Sequence, residues 1–222
     1  MEKPLFPAKY MRITQGYDEG THKDSCAIDN ADIDTGISNI YAPFTGIIKK
    51  TYPNDANEVW LESIDKVEYP DGTIDYMTIM FAHCNDISDL FVGKRVNKGE
   101  KFYSEGTKGN VTGAHCHIEC GKGKFTSTGW HKNNAGYWSI NSGKRPEECL
   151  WIDDSIKIID NYGYSFKKIS TESVDVEKPL EKVVDNSKEL IQKEFIAPKS
   201  DLYGVYLKEN QKLIIEQVPK SS

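Results

Sequence analysis

Four of the five histidines lie in three short segments whose residue types could bind a metal ion or move a proton. They are His22 ahead of Asp29, His83 after Phe-Ala, and His115 and His117, which one residue separates. Alternate side chains of a β-strand share a face, so His115 and His117 would point the same way, with Cα atoms about 6.5–7 Å apart. One imidazole could then bind a metal ion, as imidazoles commonly do with zinc, while the other meets a substrate held beside it.

Short strands and turns are the elements that must position these side chains. Residues 40–50 and 58–64 are rich in strand-forming residues, and residues 76–83 indicate a buried strand. The sequence at 69–73, YPDGT, predicts a hairpin turn because Pro and Gly supply the dihedral angles that turns demand. Residues 86–91 could form one helical turn. Between about residues 8 and 165 no apolar period of 3.6 residues runs for long, so we expect a mainly β fold with a small antiparallel sheet as its core.

Composition and charge argue against several classes of protein. The 222-residue chain is long enough for a real core, and its formal net charge of −6 gives no electrostatic footprint for nucleic acid. Uninterrupted apolar stretches fall short of the roughly 18 residues that span a membrane. The N-terminal sequence lacks the apolar core of a secretory signal, so we expect synthesis in a cytoplasm. Five cysteines without a C-x-x-C pair predict free thiols.

Several motifs follow one another in a distinctive order. They are AID ending at Asp29, IYAPFTGII at 40–48, FAH ending at His83, VNKGE at 96–100 and GTKGNVTGAHCHIE at 106–119. Over about residues 10–122 this set resembles the peptidoglycan endopeptidases of the lysostaphin/LytM type, the M23 metallopeptidase family. The resemblance implies a small antiparallel β core of that type, zinc as cofactor, and bacterial peptidoglycan as the partner whose peptide amide bonds are cut.

The resemblance also implies roles for individual residues. His22, Asp29 and His117 would bind the zinc ion, whereas His83 and His115 would be catalytic imidazoles outside the ligand set. Two nitrogens and one oxygen leave the fourth tetrahedral position of zinc open to water, whose pKa falls from about 15.7 to near 7 on the metal. Each catalytic imidazole could donate a hydrogen bond to the developing oxyanion or act as the base that orients the water.

One spacing departs from the commonest family pattern, which places three residues between the first histidine and the aspartate. Six residues lie between His22 and Asp29. The two apolar residues before Asp29 favour it as the ligand over Asp24, Asp32 or Asp34.

Three neighbouring features each allow two interpretations. Glu119, on the predicted strand face of His115 and His117, could fix a ligand imidazole or form an ion pair at the rim. The glycine run at 106–113 could suggest a phosphate-binding loop, but no Lys-Ser/Thr follows it, which favours a tight turn. Residues 125–138, which include His131, could wall a groove for sugar and peptide or form a solvent-facing loop. Cys116 should point to the opposite face and pack in the core.

A change of composition near residue 168 predicts the domain organisation. Residues 8–165 would form the M23-like domain, and residues 168–193 a polar linker or helix. Residues 194–222 would form a short C-terminal β segment, too small for a core of its own, that docks, oligomerises or binds the wall.

We therefore expect a zinc-dependent endopeptidase that lyses bacterial walls, of the phage-type endolysin kind because no secretory signal is seen. Two alternatives come from other classes: a non-catalytic M23-like module that binds the wall or a partner protein, and a structural phage tail component that carries this domain. The oligomeric state, the bond cut and the wall type stay open.

Overall fold

The computed structural model describes residues 1–33, 36–53, 56–125 and 130–169. Contacts within the chain divide it into two units, Met1–Ser173 and Val174–Ser222. The predicted C-terminal β segment, and the predicted linker beyond residue 169, lie outside the described residues. No helix in the described ranges is long and apolar enough to cross a membrane.

Short strands make up most of the regular structure in the described ranges. In chain order they are β1 (Tyr10–Gln15), β2 (Ile28–Asn30), β3 (Asn39–Tyr41), β4 (Gly46–Tyr52), β5 (Glu58–Ser63), β6 (Val67–Glu68), β7 (Ile74–Asp75), β8 (Met77–Ala82), β9 (Arg95–Val96), β10 (Lys101–Ser104), β11 (Cys116–Lys122), β12 (Trp130–Lys132), β13 (Trp138–Ile140), β14 (Gly143–Lys144), β15 (Trp151–Ile152), β16 (Lys157–Asp160) and β17 (Lys167–Lys168). A 3-10 helix spans Gly20–His22, and one short α-helix, α1, spans Pro146–Cys149.

One sheet carries the fold, with strand order β16-β1-β2-β11-β8-β5-β4-β9 and β14 added to β11. Its pairs are antiparallel except β1 with β16, which is parallel. The predicted fold class, mainly β with an antiparallel core sheet, is confirmed.

The predicted buried strand at 76–83 is confirmed as β8, whose six residues are all buried. Alternate side chains of a strand point to opposite faces, and β8 packs on both. Ile79 and Phe81 belong to the main core cluster, whereas Met80 and Ala82 join a second cluster with Trp60. A strand covered on both faces has no solvated side, which explains why five of its six residues are apolar; the sixth, Thr78, is buried and its hydroxyl donates to the Gly123 carbonyl.

The register of the central strands brings distant parts of the sequence into line. Across β2 and β11, Asp29 lies opposite His117. Across β11 and β8, His117 lies opposite Ala82, the residue before His83. Directly opposed side chains share a face of the sheet, so this register places Asp29 beside His117.

The two turn predictions had different outcomes. The hairpin turn at 69–73 joins β6 to β7, with the Gly72 N–H donating to the Tyr69 carbonyl at 2.9 Å and Gly72 at φ +85°. The helical turn at 86–91 is wrong: the Leu90 N–H donates to the Ile87 carbonyl at 2.9 Å in a single β-turn. The Asp86 carboxylate accepts the Ser88 N–H at 2.8 Å, a local bond that competes with helix formation.

The segment after β16 packs against the residues that follow β1. The rings of Tyr17 and Tyr164 are stacked, 4.4 Å apart and inclined by 13°. The Tyr164 hydroxyl also accepts the N–H of Tyr17 at 3.2 Å. A Cβ at Gly16 would collide with the Tyr164 hydroxyl, so a larger residue there would push this tyrosine away.

Candidate metal centre

A tight turn presents His22 from the loop between β1 and β2. Its N–H donates to the Glu19 carbonyl at 2.7 Å, and its carbonyl accepts the Ser25 N–H at 2.9 Å. Asp24, inside this turn, has φ +59°, a left-handed conformation that Asp tolerates better than most residues. The turn takes up the extra residues between His22 and Asp29, so the long spacing still brings the two side chains together.

Three side chains from separate segments converge on one point. The Nδ1 atom of His117 lies 3.1 Å from the Oδ1 atom of Asp29 and 3.1 Å from the Nε2 atom of His22. The third side of this triangle, from His22 Nε2 to Asp29 Oδ1, is 3.3 Å. Tetrahedral ligand bonds of about 2.0–2.1 Å place donor atoms about 3.3 Å apart. The triangle therefore has the dimensions of three ligands around one divalent ion, and its N, N, O donor set suits zinc.

The hydrogen bonds on the far side of each ligand ring decide where its proton sits. The Nδ1 atom of His22 lies 3.0 Å from the Gly16 carbonyl, and the Nε2 atom of His117 lies 3.3 Å from a Glu119 carboxylate oxygen. Those oxygens only accept, so the far nitrogens carry protons, and each ring keeps its other nitrogen facing Asp29, where it would bind an ion. Acceptors of this kind orient metal-ligating imidazoles. The structure places Glu119 against the His117 ring, buried rather than at a rim.

Opposite charges face one another within the metal-free cluster. Burial alone would raise the pKa of Asp29, but hydrogen bonds from His117 and His22 outweigh it and hold that pKa well below its usual range. Burial likewise opposes protonation of His117, yet hydrogen bonds to Asp29 and Glu119 raise its pKa to about 10. At neutral pH the metal-free site thus contains an imidazolium between two carboxylates.

His83 and His115 lie beside this triangle as a second pair. Their ring centroids are 4.6 Å apart, and the His83 ring is 5.8 Å from that of His117. The Nδ1 of His83 donates to the Lys108 carbonyl at 2.8 Å, and the Nδ1 of His115 donates to the Gly113 carbonyl at 2.9 Å. Each Nε2 atom is left for chemistry, and that of His115 lies 3.5 Å from Asp29 Oδ2.

His83 differs from His115 in its electrostatics and backbone. Burial, followed by the charge of His117, lowers the pKa of His83 to about 4, so its ring is neutral at pH 7. Its backbone has φ +85°, which is uncommon outside glycine and costs energy. Two backbone hydrogen bonds fix this conformation, from the His83 N–H to the Ala56 carbonyl at 2.7 Å and from the Lys108 N–H to the His83 carbonyl at 3.0 Å.

Gly106 brings the two catalytic candidates together. Its N–H and carbonyl pair with the carbonyl and N–H of His115 at 3.0 and 3.1 Å. A Cβ at Gly106 would collide with the His83 carbonyl oxygen and lie 2.7 Å from the Asn85 nitrogen. The glycine run is thus a close backbone approach beside the candidate site, as the tight-turn interpretation expects.

Gly106→Ala is expected to destabilise the fold by about 2–3 kcal/mol, because rigid backbone surrounds the added methyl group. Urea unfolding of the metal-free protein measures this. Gly113→Ala is the matched control: a Cβ there has nothing within 4 Å, so its free energy of unfolding should stay within about 0.5 kcal/mol of wild type. Equal effects at the two glycines would contradict the packing argument.

The predicted site residues differ in where the structure places them. His22, Asp29 and His117 form one group whose ligand atoms lie within 4.8 Å of one another, and Asp24 and Asp32 are not members of it. The other aspartate considered, Asp34, lies outside the described residues.

Two neighbours of the site can be compared with their predictions. Cys116 is fully buried in the main core cluster, as predicted. His131 lies on β12, with its Nδ1 atom 3.1 Å from the Asn141 side-chain oxygen. The strands β12 and β13 form a hairpin on which Tyr137 and Trp138 are exposed.

Sequence reasoning missed two contacts at the site. They are the Gly16 carbonyl behind His22, and the Ser139 hydroxyl that donates to Glu119 at 3.0 Å. A backbone carbonyl and a lone serine have no motif that could have revealed them.

Comparisons with known proteins place the chain near a group of solved peptidase structures. No family model matches the sequence. The catalytic domain of the prophage-encoded M23 protein EnpA from Enterococcus faecalis is 23% identical over 55% of this chain and 88% of that chain, with a TM-score of 0.41. The catalytic domain of the antimicrobial peptidase lysostaphin from Staphylococcus simulans is 17% identical over 65% and 89%, with a TM-score of 0.39.

A zinc-containing peptidase from Vibrio cholerae is 20% identical over 53% of this chain, with a TM-score of 0.38. This chain spans 37% of the length of that peptidase.

Proposed function

We propose that this protein is a zinc-dependent endopeptidase that hydrolyses amide bonds in the peptide part of bacterial peptidoglycan. The observation that carries the proposal is the ligand-sized triangle of His22, Asp29 and His117 with two further imidazoles against it. The motif order of the sequence, which resembles that of M23 peptidases, supports peptidoglycan as the substrate.

The residues of the chain divide the work between binding and proton transfer. His22, Asp29 and His117 would hold the zinc ion, which supplies Lewis-acid chemistry by lowering the pKa of water and polarising an amide carbonyl. His83, neutral and with its Nδ1 proton held by a carbonyl, would accept a proton at Nε2 as general base. His115, whose Nε2 faces the carboxylate of Asp29, would, when both of its nitrogens carry protons, donate a hydrogen bond from Nε2 to the carbonyl oxygen as it becomes negative.

Digestion of purified walls tests the activity directly. Walls of several bacterial types are incubated with the protein, and the released fragments are identified by mass spectrometry with and without a chelator. We expect new amino and carboxyl termini within stem peptides or cross-bridges that the chelator prevents. Tight zinc binding without cleavage of any wall would overturn the endopeptidase and favour the non-catalytic binding module.

The biological setting is a separate part of the proposal. A phage-type lysin should be found in lysates of the host and not in purified virions. A structural tail component carrying this domain should be found in the virions themselves. Mass spectrometry of the two fractions separates these settings.

Zinc binding is expected to tighten with rising pH. The raised pKa of His117, about 10, means that zinc must displace a proton from that ring at any lower pH. Between pH 6.5 and 8.5 the dissociation constant should therefore fall about tenfold per pH unit. Calorimetric titrations in buffers of different ionisation enthalpy should also show release of about one proton per zinc ion. An affinity independent of pH would contradict this account of the metal-free site.

A further inference from the structure

The hairpin of β12 and β13 contacts residues that support two of the candidate zinc ligands, His117 and His22. On one side, Ser139 and Ile140 hold Glu119, which lies behind His117. On the other side, Asn133, in the turn of the hairpin, reaches the backbone of Thr21 beside His22. The contact with Thr21 links residues 112 apart in sequence.

The contact with Glu119 is buried and densely hydrogen-bonded. The Ser139 hydroxyl lies 3.0 and 3.1 Å from the two carboxylate oxygens, and the Ile140 N–H donates to one of them at 2.6 Å. Glu119 and Ser139 are each only 1% exposed. A carboxylate without water must be satisfied by protein donors, so it cannot turn away without losing these bonds. Its remaining contact, at 3.3 Å, is with the Nε2 of His117.

The contact with Thr21 restrains the turn that presents His22. The amide nitrogen of Asn133 donates to the Thr21 carbonyl at 2.9 Å, while the amide oxygen of Asn133 accepts the Tyr137 N–H at 2.9 Å. Asn133 is buried, whereas its partners Thr21 and Tyr137 lie at the surface, so its two bonds are partly shielded from water. The hairpin therefore fixes the backbone directly before one candidate ligand.

We propose that the β12–β13 hairpin is a positioning element for the metal centre, acting on His117 through Ser139 and Glu119 and on His22 through Asn133. The inference rests on the proposed zinc function. Ser139, Glu119 and Asn133 are positioning residues: they set the orientation of the ligand rings, and Glu119 keeps the His117 lone pair on Nδ1. Zinc affinity should depend on this hairpin, although it supplies none of the three candidate ligands.

Zinc affinity of the full chain, measured by competition with a chromophoric chelator, tests the proposal. Ser139→Ala and Asn133→Ala should each weaken zinc binding about tenfold, and Glu119→Gln by up to about 100-fold. One carboxylate oxygen of Glu119 contacts His117 and the other contacts Ile140. In Glu119→Gln one of these oxygens becomes an NH₂ group, which cannot accept a hydrogen bond, so one of the two contacts must fail. Ser139→Cys, of similar size with a weak S–H donor, should give an intermediate affinity.

Controls separate positioning from loss of the fold. Ser142→Ala removes an exposed serine just after the hairpin and should bind zinc like wild type. Urea unfolding of each metal-free variant reports the fold itself, which a merely structural role would weaken without changing the zinc affinity of the folded fraction. Wild-type zinc affinity in folded Ser139→Ala and Glu119→Gln would overturn the inference. Because no wall is cut in this assay, failure of the endopeptidase proposal would appear only in the digestion experiment.

Discussion

Substitution of Asp29 by asparagine is expected to weaken zinc binding by more than about 100-fold and to stop hydrolysis of peptidoglycan. Even residues that only support a ligand typically cost about 10- to 100-fold in metal affinity when they are changed, so loss of a ligand should cost more. Asp29 supplies the negative charge of the triangle, at 3.1 Å from His117 and 3.3 Å from His22. An asparagine in its place carries no charge, so the candidate ligands would no longer neutralise any of the positive charge of the zinc ion. Zinc content after gel filtration and competition titration measure the loss.

Asp24→Asn is the matched control for this substitution. Asp24 is exposed in the same loop, was itself a candidate ligand from the sequence, and has φ +59°, which asparagine also tolerates. Its zinc content should equal that of wild type. Retention of zinc by Asp29→Asn together with its loss from Asp24→Asn would show that the ligand has been assigned to the wrong aspartate.

Substitution of His115 by alanine should leave zinc bound and lower kcat/KM by about 10²- to 10⁴-fold. Removal of a group that transfers a proton or stabilises an oxyanion has an effect of this size. His115 lies next to the triangle, with its Nε2 atom 3.5 Å from Asp29 Oδ2, but its Nδ1 atom is occupied by the Gly113 carbonyl. His83→Ala should have a comparable effect, and the double variant should lose less than the product of the two, because both rings serve one step.

Zinc content of these variants distinguishes catalysis from coordination. If His115→Ala loses zinc as Asp29→Asn does, His115 is a ligand and the division between the two groups of histidines is wrong. An unchanged digest of purified walls by the zinc-loaded His115→Ala variant would instead contradict its catalytic role.

The parts of the fold that could be predicted are those with a short sequence period or a strong turn signal. Five of the six buried residues of β8 are apolar, and the YPDGT turn contains both Pro and Gly. Side chains alternate along a strand, so the spacing of His115 and His117 is by itself enough to predict that they share a face. The failure at residues 86–91 has a local cause, since the Asp86 side chain accepts the Ser88 N–H and favours a turn over a helix.

The convergence of the site is harder to predict from sequence because it depends on register between distant strands. Nothing local to Asp29 specifies that it lies opposite His117. The resemblance of the motifs supplied the candidate ligand set, and the structure brings those side chains together without an ion. The contacts behind them, from the Gly16 carbonyl and the Ser139 hydroxyl, come from tertiary packing and leave no pattern in the chain.

The stacking of Tyr164 on Tyr17 bears on where this protein can be cut or fused to other modules. The Tyr164 hydroxyl accepts the N–H of Tyr17, the residue after Gly16, and the Gly16 carbonyl lies 3.0 Å from the Nδ1 atom of His22. Further along the chain, Lys167–Lys168 pairs with Trp151–Ile152. A chimaera joined at residue 160 would lack Tyr164 and its contacts with Tyr17. We expect this loss to loosen the backbone that supports His22, even though every motif residue is still present. Fusions that preserve the candidate metal centre should therefore keep the chain intact through residue 169.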